Sequence, residues 1–210
     1  ANWEMIIADD CSKDNTEDIV KHFMDPRITY FKLDKNSGAA IARNKALEKA
    51  NGKYIAFLDA DDIWKPDKIE KQLYFMIEKD IGFSFTSYEI LGKKNKVIRV
   101  PSKLNYNQFM KNTIIATSTV MINKEIVGEI RLVNVRADHD SMTWAKLLRQ
   151  GHLAYGLNEN LAYYRKLDGS ISNNKFKAAK NHWINCRKIE ILSLARCLYY
   201  FIFYGINAFK

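Results

Sequence analysis

The sequence predicts an α/β fold in which parallel strands form a sheet that is layered with helices. Strand-like and helix-like patterns alternate over the first ninety residues, as they do in chains that build such sheets. The run at 54–58 is apolar at every position and leads into Asp59, which is typical of a strand buried on both faces. With 47% hydrophobic and 27% charged residues, the 210-residue chain can bury a sizeable core, so wholesale disorder is excluded.

Each element of the first half follows from apolar periodicity and from residues that begin or end helices. Asn15 and Thr16 are suited to cap a helix, Pro66 to begin one, and Gly52 to follow the end of one. The predicted strands lie at 4–9, 28–33, 54–58 and 82–88. The predicted helices lie at 16–23, at 38–50 and from 66 onwards, the last with Ile69, Leu73, Met76 and Ile77 facing inward.

The second half of the chain is less regular. The predicted elements are a basic connection ending in a short helix (93–112), a strand (114–122), a helix closed by Gly151 (138–150), a strand (161–165) and a long helical tail from about Lys175. Trp144 is predicted to lie in the core, and the four histidines are expected at the surface or with their hydrogen bonds satisfied. The organisation we predict is two halves of one domain, 1–92 and 93–172, followed by a tail at 173–210.

The net charge of +9 is concentrated in the tail. Residues 171–210 contain seven Lys and Arg but one Glu, so this segment contributes six of the nine positive charges. A basic segment of this kind favours an anionic partner, which the charge alone leaves open as a membrane surface, a nucleic acid or a polyphosphate.

Three carboxylates follow the buried strand at 54–58, namely Asp59, Asp61 and Asp62. Open α/β sheets bind ligands at the carboxyl ends of their strands. Like charges this close repel one another, and a divalent cation with oxygen ligands relieves that repulsion. The alternative is an acidic turn whose last Asp caps the following helix.

Other polar residues lie at neighbouring strand–helix junctions. Asp9 and Asp10 end the first strand, and Gly38 begins the helix that carries Arg43. Gly38 permits a close approach of the backbone to a ligand, the helix start offers N–H groups to an anion, and Arg43 can reach a phosphate or a base edge. Taken singly, Asp9 and Asp10 can be interpreted as turn-forming residues, Gly38 as a hinge and Arg43 as a solvated charge. Their occurrence together at strand–helix junctions of one sheet favours a ligand site.

Five motifs lie in order between residue 3 and about residue 172. They are Asp9-Asp10-x-Ser12-x-Asp14-x-Thr16, Asn36-x-Gly38 with Ala42-Arg43-Asn44, Phe57-Leu58-Asp59-Ala60-Asp61-Asp62, Ala137-Asp138-His139-Asp140 with Trp144, and Tyr164-Arg165 with Ser170-x-Ser172. In these motifs the sequence resembles the inverting family 2 glycosyltransferases, most closely bacterial members that build cell-wall, teichuronic-type or capsular polysaccharides. The resemblance implies a GT-A fold, with a doubly wound, mostly parallel sheet.

The resemblance also implies a role for each matched residue. Asp138 would be the general base, and Asp61 would ligate the Mn²⁺ or Mg²⁺ that bridges the donor diphosphate. Asp138 can alternatively be read as a helix N-cap. The residues that would bind the donor are Asp9, Asp10, Gly38, Arg43, Asp59 and Ala60.

The sequence departs from the family pattern at two places. The opening βα unit of the fold is absent, and its strand is expected between the strands at 4–9 and 54–58. Many relatives have a His in the segment directly after Tyr-Arg, whereas Lys166-Leu167-Asp168 contains none, so Arg165 or Lys166 would neutralise the diphosphate instead. We expect that these 210 residues alone are poorly stable or unable to bind the donor.

The partners implied are a nucleotide-sugar donor, UDP-linked by resemblance, and a saccharide or lipid-linked saccharide acceptor, with no nucleic acid. Residues 197–206 are uncharged and rich in Tyr and Phe, which is typical of a segment at the lipid headgroup boundary. The alternative is that this tail packs on the catalytic domain or on a second subunit of a homodimer. The three cysteines form no disulfide framework, and we expect a cytoplasmic protein at the inner face of the cell membrane.

Two other classes of protein remain open from the sequence. A hydrophobic strand followed by DxD also begins the haloacid dehalogenase signature, which would make the protein a phosphohydrolase. That signature has Thr or Val where Ile63 lies here, and it usually stands near the N-terminus. The third possibility is a catalytically inactive, basic membrane- or nucleic-acid-binding module.

Overall fold

The computed structural model describes residues 2–92, 95–135, 138–165 and 175–208. The strands are β1 (Met5–Asp9), β2 (Ile28–Lys32), β3 (Tyr54–Ala56), β4 (Ile63–Trp64), β5 (Phe83–Leu91), β6 (Lys96–Ile98), β7 (Lys103–Leu104), β8 (Met121–Asn123) and β9 (Ala154–Arg165). The helices are α1 (Thr16–His22), α2 (Ala39–Lys49), α3 (Lys68–Glu78), α4 (Tyr106–Lys111), α5 (Lys124–Val127), α6 (His139–Arg149), α7 (Lys175–Lys188) and α8 (Leu194–Ala208).

The described strands form two sheets. β1 and β2 pair in parallel, and a larger mixed sheet has the order β3-β8-β5-β9-β4, with β6 on β5 and β7 on β9. The longest pairing is the parallel one between β5 and β9, and antiparallel pairs flank it. The α/β class predicted from the sequence is confirmed.

The two sheets are connected at one end through Glu4. Its carboxylate accepts hydrogen bonds from the backbone N–H groups of Asn51, at 2.7 Å, and Gly52, at 3.0 Å, just before β3 begins. In the part of the chain that the structure describes, no strand of one sheet pairs with a strand of the other. The strand expected between β1 and β3 stays a prediction.

The main hydrophobic core lies under the larger sheet and includes α6. Trp144 is completely buried, and its ring centroid lies 5.5 Å from those of Phe57 and Phe83. The prediction that Trp144 belongs to the core is confirmed. Ile77 was predicted to face inward with Met76, but its side chain is 61% exposed, because only Met76 of this pair points towards the sheet.

The strand predicted at 114–122 is mostly wrong. Residues Thr117–Thr119 form a short 3-10 helix, and only the last two of the predicted residues lie in β8. The three hydroxyl side chains are buried and hydrogen-bond to nearby groups, as Thr119 Oγ1 does to the carbonyl of Ala116 at 2.6 Å. Hydroxyl groups of this kind compete with strand pairing for backbone partners.

The tail consists of two helices rather than the single long one predicted. The chain turns between α7 and α8, where Ile191 has a φ of 53°. Cys186, Cys197 and Tyr200 are buried in the main core cluster. The tail therefore packs on the preceding part of the chain. No helix among the described residues is both long and apolar enough to cross a membrane.

A buried carboxylate anchors this turn to the rest of the molecule. Glu190, which is 5% exposed, accepts hydrogen bonds from Arg149 Nη1 at 3.0 Å and from the hydroxyl of Tyr106 at 2.7 Å. These donors come from α6 and α4, so the link between the tail helices is held by the two helices on which they pack.

Candidate active site

The three carboxylates after β3 converge, as the sequence predicts. Oxygen atoms of Asp59, Asp61 and Asp62 lie within 4.8 Å of one another. The turn is closed by a backbone hydrogen bond of 3.0 Å from the N–H of Asp62 to the carbonyl of Asp59. This places three carboxylates on one tight turn at the end of a strand.

Two of these carboxylates have protein partners. Asp59 forms an ion pair with Arg43, while Asp62 accepts hydrogen bonds from Ser118 Oγ at 2.6 Å and from the backbone N–H of Arg165 at 3.1 Å. The alternative in which the last Asp caps a helix is wrong, since Asp67 occupies the N-cap position of α3.

Asp61 differs from its neighbours because its side chain is exposed and, among the described residues, its carboxylate has no hydrogen bond or ion pair. Carboxylate oxygens are the ligands that Mg²⁺ and Mn²⁺ prefer. The donor set of this turn therefore fits a divalent cation, with Asp61 as the carboxylate that is free to bind it.

The electrostatics of the turn also favour a cation. Burial raises the pKa of Asp59 despite the nearby guanidinium of Arg43, and burial raises the pKa of Asp62 despite its hydrogen bond from Ser118. The neighbouring carboxylates raise both pKa values further. A bound cation would reverse this effect and stabilise the ionised forms.

Asp9 and Asp10 end β1, but their carboxylates are already hydrogen-bonded within the protein. Asp9 accepts from the N–H of Ser12 at 2.7 Å, from its hydroxyl at 2.5 Å and from the hydroxyl of Tyr30 at 2.6 Å. Burial acts to raise the pKa of Asp9, but the hydrogen bonds from Ser12 and Tyr30 outweigh it and lower that pKa. Asp9 is thus held as a carboxylate.

Asp10 accepts from the backbone N–H groups of Ser37 at 2.6 Å and of Gly38 at 2.8 Å. Asp10 thus occupies two of the amides at the start of α2, where the sequence predicts that N–H groups bind an anion. Gly38 has a φ of 94°, a conformation that glycine adopts without strain. Donor binding by Asp10 and Gly38 stays a prediction.

Arg43 connects the acidic turn to the motif that contains Asp138. One guanidinium nitrogen contacts Asp59, and the other contacts Nε2 of His139, the residue after Asp138. Burial lowers the pKa of His139, which favours the neutral ring that can accept this hydrogen bond.

Asp138 occupies the N-cap position of α6, yet its side chain makes no capping hydrogen bond. Its φ of 59° and ψ of 25° are left-handed. The carboxylate instead accepts a hydrogen bond of 3.2 Å from Nδ2 of the buried Asn185 in α7. Asp138 therefore holds the N-cap position of α6 without capping the helix through its side chain, and the carboxylate is available for chemistry.

The pKa of Asp138 is suited to a general base. Burial, together with the charge of Asp140, raises this pKa to about 6. A carboxylate with such a pKa is ionised at neutral pH but is more basic than an ordinary Asp, which favours proton abstraction.

The remaining predicted residues lie beside the acidic turn or outside the described residues. Ala60 is exposed between Asp59 and Asp61. The side chain of Arg165 donates from Nε to the carbonyl of Asp61, which places this cation next to the acidic turn. Lys166 lies outside the described residues, as do Ala137 and the segment after Lys166 up to residue 174.

Comparison with known proteins identifies the family. A sequence profile described as glycosyl transferase family 2 matches residues 1–138, about two thirds of the chain. The chain belongs to glycosyl transferase family 2. The resemblance and the enzyme class predicted from the sequence are confirmed, and the phosphohydrolase alternative is wrong.

Two curated relatives match the whole chain. The putative teichuronic acid biosynthesis glycosyltransferase TuaG of Bacillus subtilis is 50% identical over 215 residues, covering 100% of this chain and 85% of TuaG. WfgD of Escherichia coli, named UDP-Glc:α-D-GlcNAc-diphosphoundecaprenol β-1,3-glucosyltransferase, is 36% identical over 213 residues, covering 100% of this chain and 83% of WfgD.

Solved structures confirm the GT-A fold. TarS of S. aureus in complex with UDP-GlcNAc matches with a TM-score of 0.70 and 16% identity, over 98% of this chain and 63% of the TarS chain. The mannosyltransferase PcManGT of Pyrobaculum calidifontis, in complex with GDP-Man and Mn²⁺, matches with a TM-score of 0.66 and 18% identity, over 87% of this chain and 54% of that chain. The chain thus spans less than two thirds of either solved chain.

Three residues of the site were not predicted from the sequence. Ser118 joins the turn through both Asp59, whose N–H donates to its Oγ at 3.0 Å, and Asp62. His139 contacts Arg43, and Asn185 contacts Asp138. The position of His139 beside Asp138 was the one available signal, whereas Ser118 and Asn185 reach the site only through the fold.

Proposed function

We propose that this family 2 glycosyltransferase transfers a sugar from a nucleotide diphosphate donor to a saccharide hydroxyl, with inversion and with a divalent cation, in the synthesis of a bacterial surface polysaccharide. The observation that carries the proposal is the chain of contacts from Asp59 through Arg43 to His139. These contacts hold the acidic turn, which is suited to bind a cation, near Asp138, whose carboxylate is suited to act as a general base.

The similar proteins support the finer parts of the proposal. The name of WfgD specifies UDP-Glc, and the TarS structure contains UDP-GlcNAc, which favours a UDP-sugar as the donor here. The PcManGT structure contains Mn²⁺, which supports a divalent cation at Asp61. The teichuronic acid assignment of TuaG supports a role in the cell wall.

The reaction divides between two sides of the site. A bound Mn²⁺ or Mg²⁺ would stabilise the negative charge of the leaving diphosphate as a Lewis acid. Arg165, beside the turn, supplies a further positive charge for that group. Asp138 accepts the proton of the acceptor hydroxyl as its oxygen attacks the anomeric carbon from the face opposite the diphosphate, which inverts the configuration.

The acceptor we infer is a saccharide carried on a lipid diphosphate. The name of WfgD describes such an acceptor, GlcNAc-diphosphoundecaprenol. An acceptor of this class lies at the membrane surface, so we infer a peripheral location at the inner face of the cytoplasmic membrane.

The experiment that tests the function is a screen of donor hydrolysis and transfer across UDP- and GDP-sugars, run on a chain extended upstream by the expected βα unit. We expect hydrolysis of a UDP-sugar with Mn²⁺ and its loss when EDTA removes the metal. Binding of UDP with Mn²⁺ should raise the melting temperature, since a ligand at a hundred times its Kd stabilises by about 2.7 kcal/mol. An inactive binding module would show neither effect.

A further inference from the structure

Helix α8 has two apolar faces, and only one of them is covered. Cys197 and Tyr200 are buried against the domain. The opposite face is exposed over the whole helix, which is ~22 Å long for 15 residues. Its large side chains, between 36% and 57% exposed, are Leu194, Leu198, Tyr199, Ile202, Phe203 and Ile206. A contiguous exposed apolar surface of this kind marks an interaction site.

Positive charges surround this face. The ammonium group of Lys111 lies 4.7 Å from the ring centroid of Tyr199 and 4.8 Å from that of Phe203. Arg196 is exposed on α8 itself, and the exposed Arg187 donates to the carbonyl of Leu192, two residues before the helix begins. Neither α7 nor α8 contains an acidic residue.

This combination of groups matches an anionic lipid surface better than a second copy of the chain. Apolar and aromatic side chains insert at the boundary between headgroups and acyl chains, and the flanking cations attract anionic headgroups. A symmetric dimer through the same face would instead bring Lys111 and Arg196 close to their equivalents in the partner, and like charges across an interface are unfavourable.

The face is also close to the catalytic base. On the covered side of α8, Tyr204 stacks on His182 of α7 with ring centroids 4.3 Å apart. Three residues after His182 lies Asn185, which donates to Asp138. Contacts through α7 therefore connect Asp138 to α8, the helix that carries the exposed apolar face.

We propose that the exposed face of α8 docks on anionic membrane lipid and thereby brings Asp138 to acceptors held at the membrane surface. The second part of this inference rests on the proposed function, because it assumes a lipid-linked acceptor. The docking itself depends only on the exposed side chains and the cations that flank them.

The test measures cosedimentation of the purified protein with vesicles of phosphatidylglycerol or of phosphatidylcholine. We expect binding to phosphatidylglycerol at low salt and weaker binding at high salt. Ile202→Glu, which replaces one exposed aliphatic side chain of the docking face with a carboxylate, should lower vesicle affinity about tenfold or more. Arg196→Ala should lower it about fivefold. The matched control is Ile77→Glu on α3, which changes an equally exposed Ile and should leave binding unchanged.

Three results would overturn the proposal. They are no binding of the wild-type protein to phosphatidylglycerol, equal binding by Ile202→Glu, or a dimer in solution that Ile202→Glu dissociates. Calorimetry of UDP binding with Mn²⁺, run on the wild-type protein and every variant, distinguishes a failure of membrane docking from a failure of the proposed function. If the function fails, wild-type protein does not bind UDP; if docking alone fails, UDP binding persists in all variants.

Discussion

The two sides of the proposed catalytic site are supported in different ways. On the donor side, Asp9 is held by Ser12 and Tyr30, which lie on the same small sheet and its following turn. On the acceptor side, Asp138 is held by Asn185, 47 residues later in a helix of the tail. The proposed donor side is therefore built from neighbouring strand ends, whereas the position of the proposed base depends on how the C-terminal helices pack.

This difference predicts distinct effects of variants on the two sides. A change on the donor side should affect nucleotide and metal binding. A change on the acceptor side should affect the rate of the chemical step. Changes in the tail should affect the same rate, because Asn185 of the tail contacts Asp138.

The largest effect is expected for Asp138→Asn, which removes the proposed base and preserves the size of the side chain. Loss of general-base catalysis should lower kcat by about 10²–10⁴. Steady-state kinetics, together with calorimetry of UDP and Mn²⁺, will check it. An equal loss of donor affinity would show that Asp138 supports the donor side instead.

The second effect is expected for Asp61→Ala. Without its free carboxylate, the turn should lose Mn²⁺-dependent binding of UDP, and transfer should fall about 10²–10³-fold because charge on the leaving group is less stabilised. The matched control is Asp67→Ala, an exposed Asp paired with Lys71, which should retain activity. Near wild-type transfer by Asp61→Ala would refute the metal assignment.

The third effect concerns stability and is expected for Arg149→Met. The variant removes a charged donor from the buried Glu190 while keeping much of the side-chain length. Hydrogen bonds to charged groups contribute about 1.5–3 kcal/mol, so the free energy of unfolding should fall by about 2 kcal/mol. Urea denaturation measures it, with Lys45→Met, which removes an exposed pair with Glu48, as the control.

The smallest effect is a shift of the pH profile. Because the pKa of Asp138 is about 6 and the base must be ionised, kcat should rise with pH through about 6 and then level off. Asn185→Ala removes a hydrogen bond that favours the ionised form, so this rise should move to higher pH by about one unit. An unchanged profile would show that Asn185 only packs against the base.

The sequence predicts the parts of the site that are local. Asp59, Asp61 and Asp62 lie within four positions after an apolar strand, so their proximity needs no knowledge of the tertiary fold. The family motifs extend the prediction to Arg43 and Asp138.

What could not be predicted depends on contacts between distant segments. Ser118 lies in a stretch whose apolar residues resemble a strand, and its role follows only from the buried hydrogen bonds that form the 3-10 helix there. The tail has the composition of a surface segment, but one side of it is core. A helical pattern shows which residues share a face, not what covers that face.

The left-handed backbone of Asp138 limits the routes by which this enzyme can change. Asp and Asn are among the few residues other than Gly that adopt this conformation readily, because their short polar side chains interact with the local backbone. A Glu at position 138 would preserve the negative charge, but its longer side chain would make the left-handed backbone conformation more strained. A substitution that retains the carboxylate is therefore disfavoured, whereas Asn, which fits the backbone, removes the proposed base. A single substitution at this position is thus more apt to abolish the proposed base than to change its basicity.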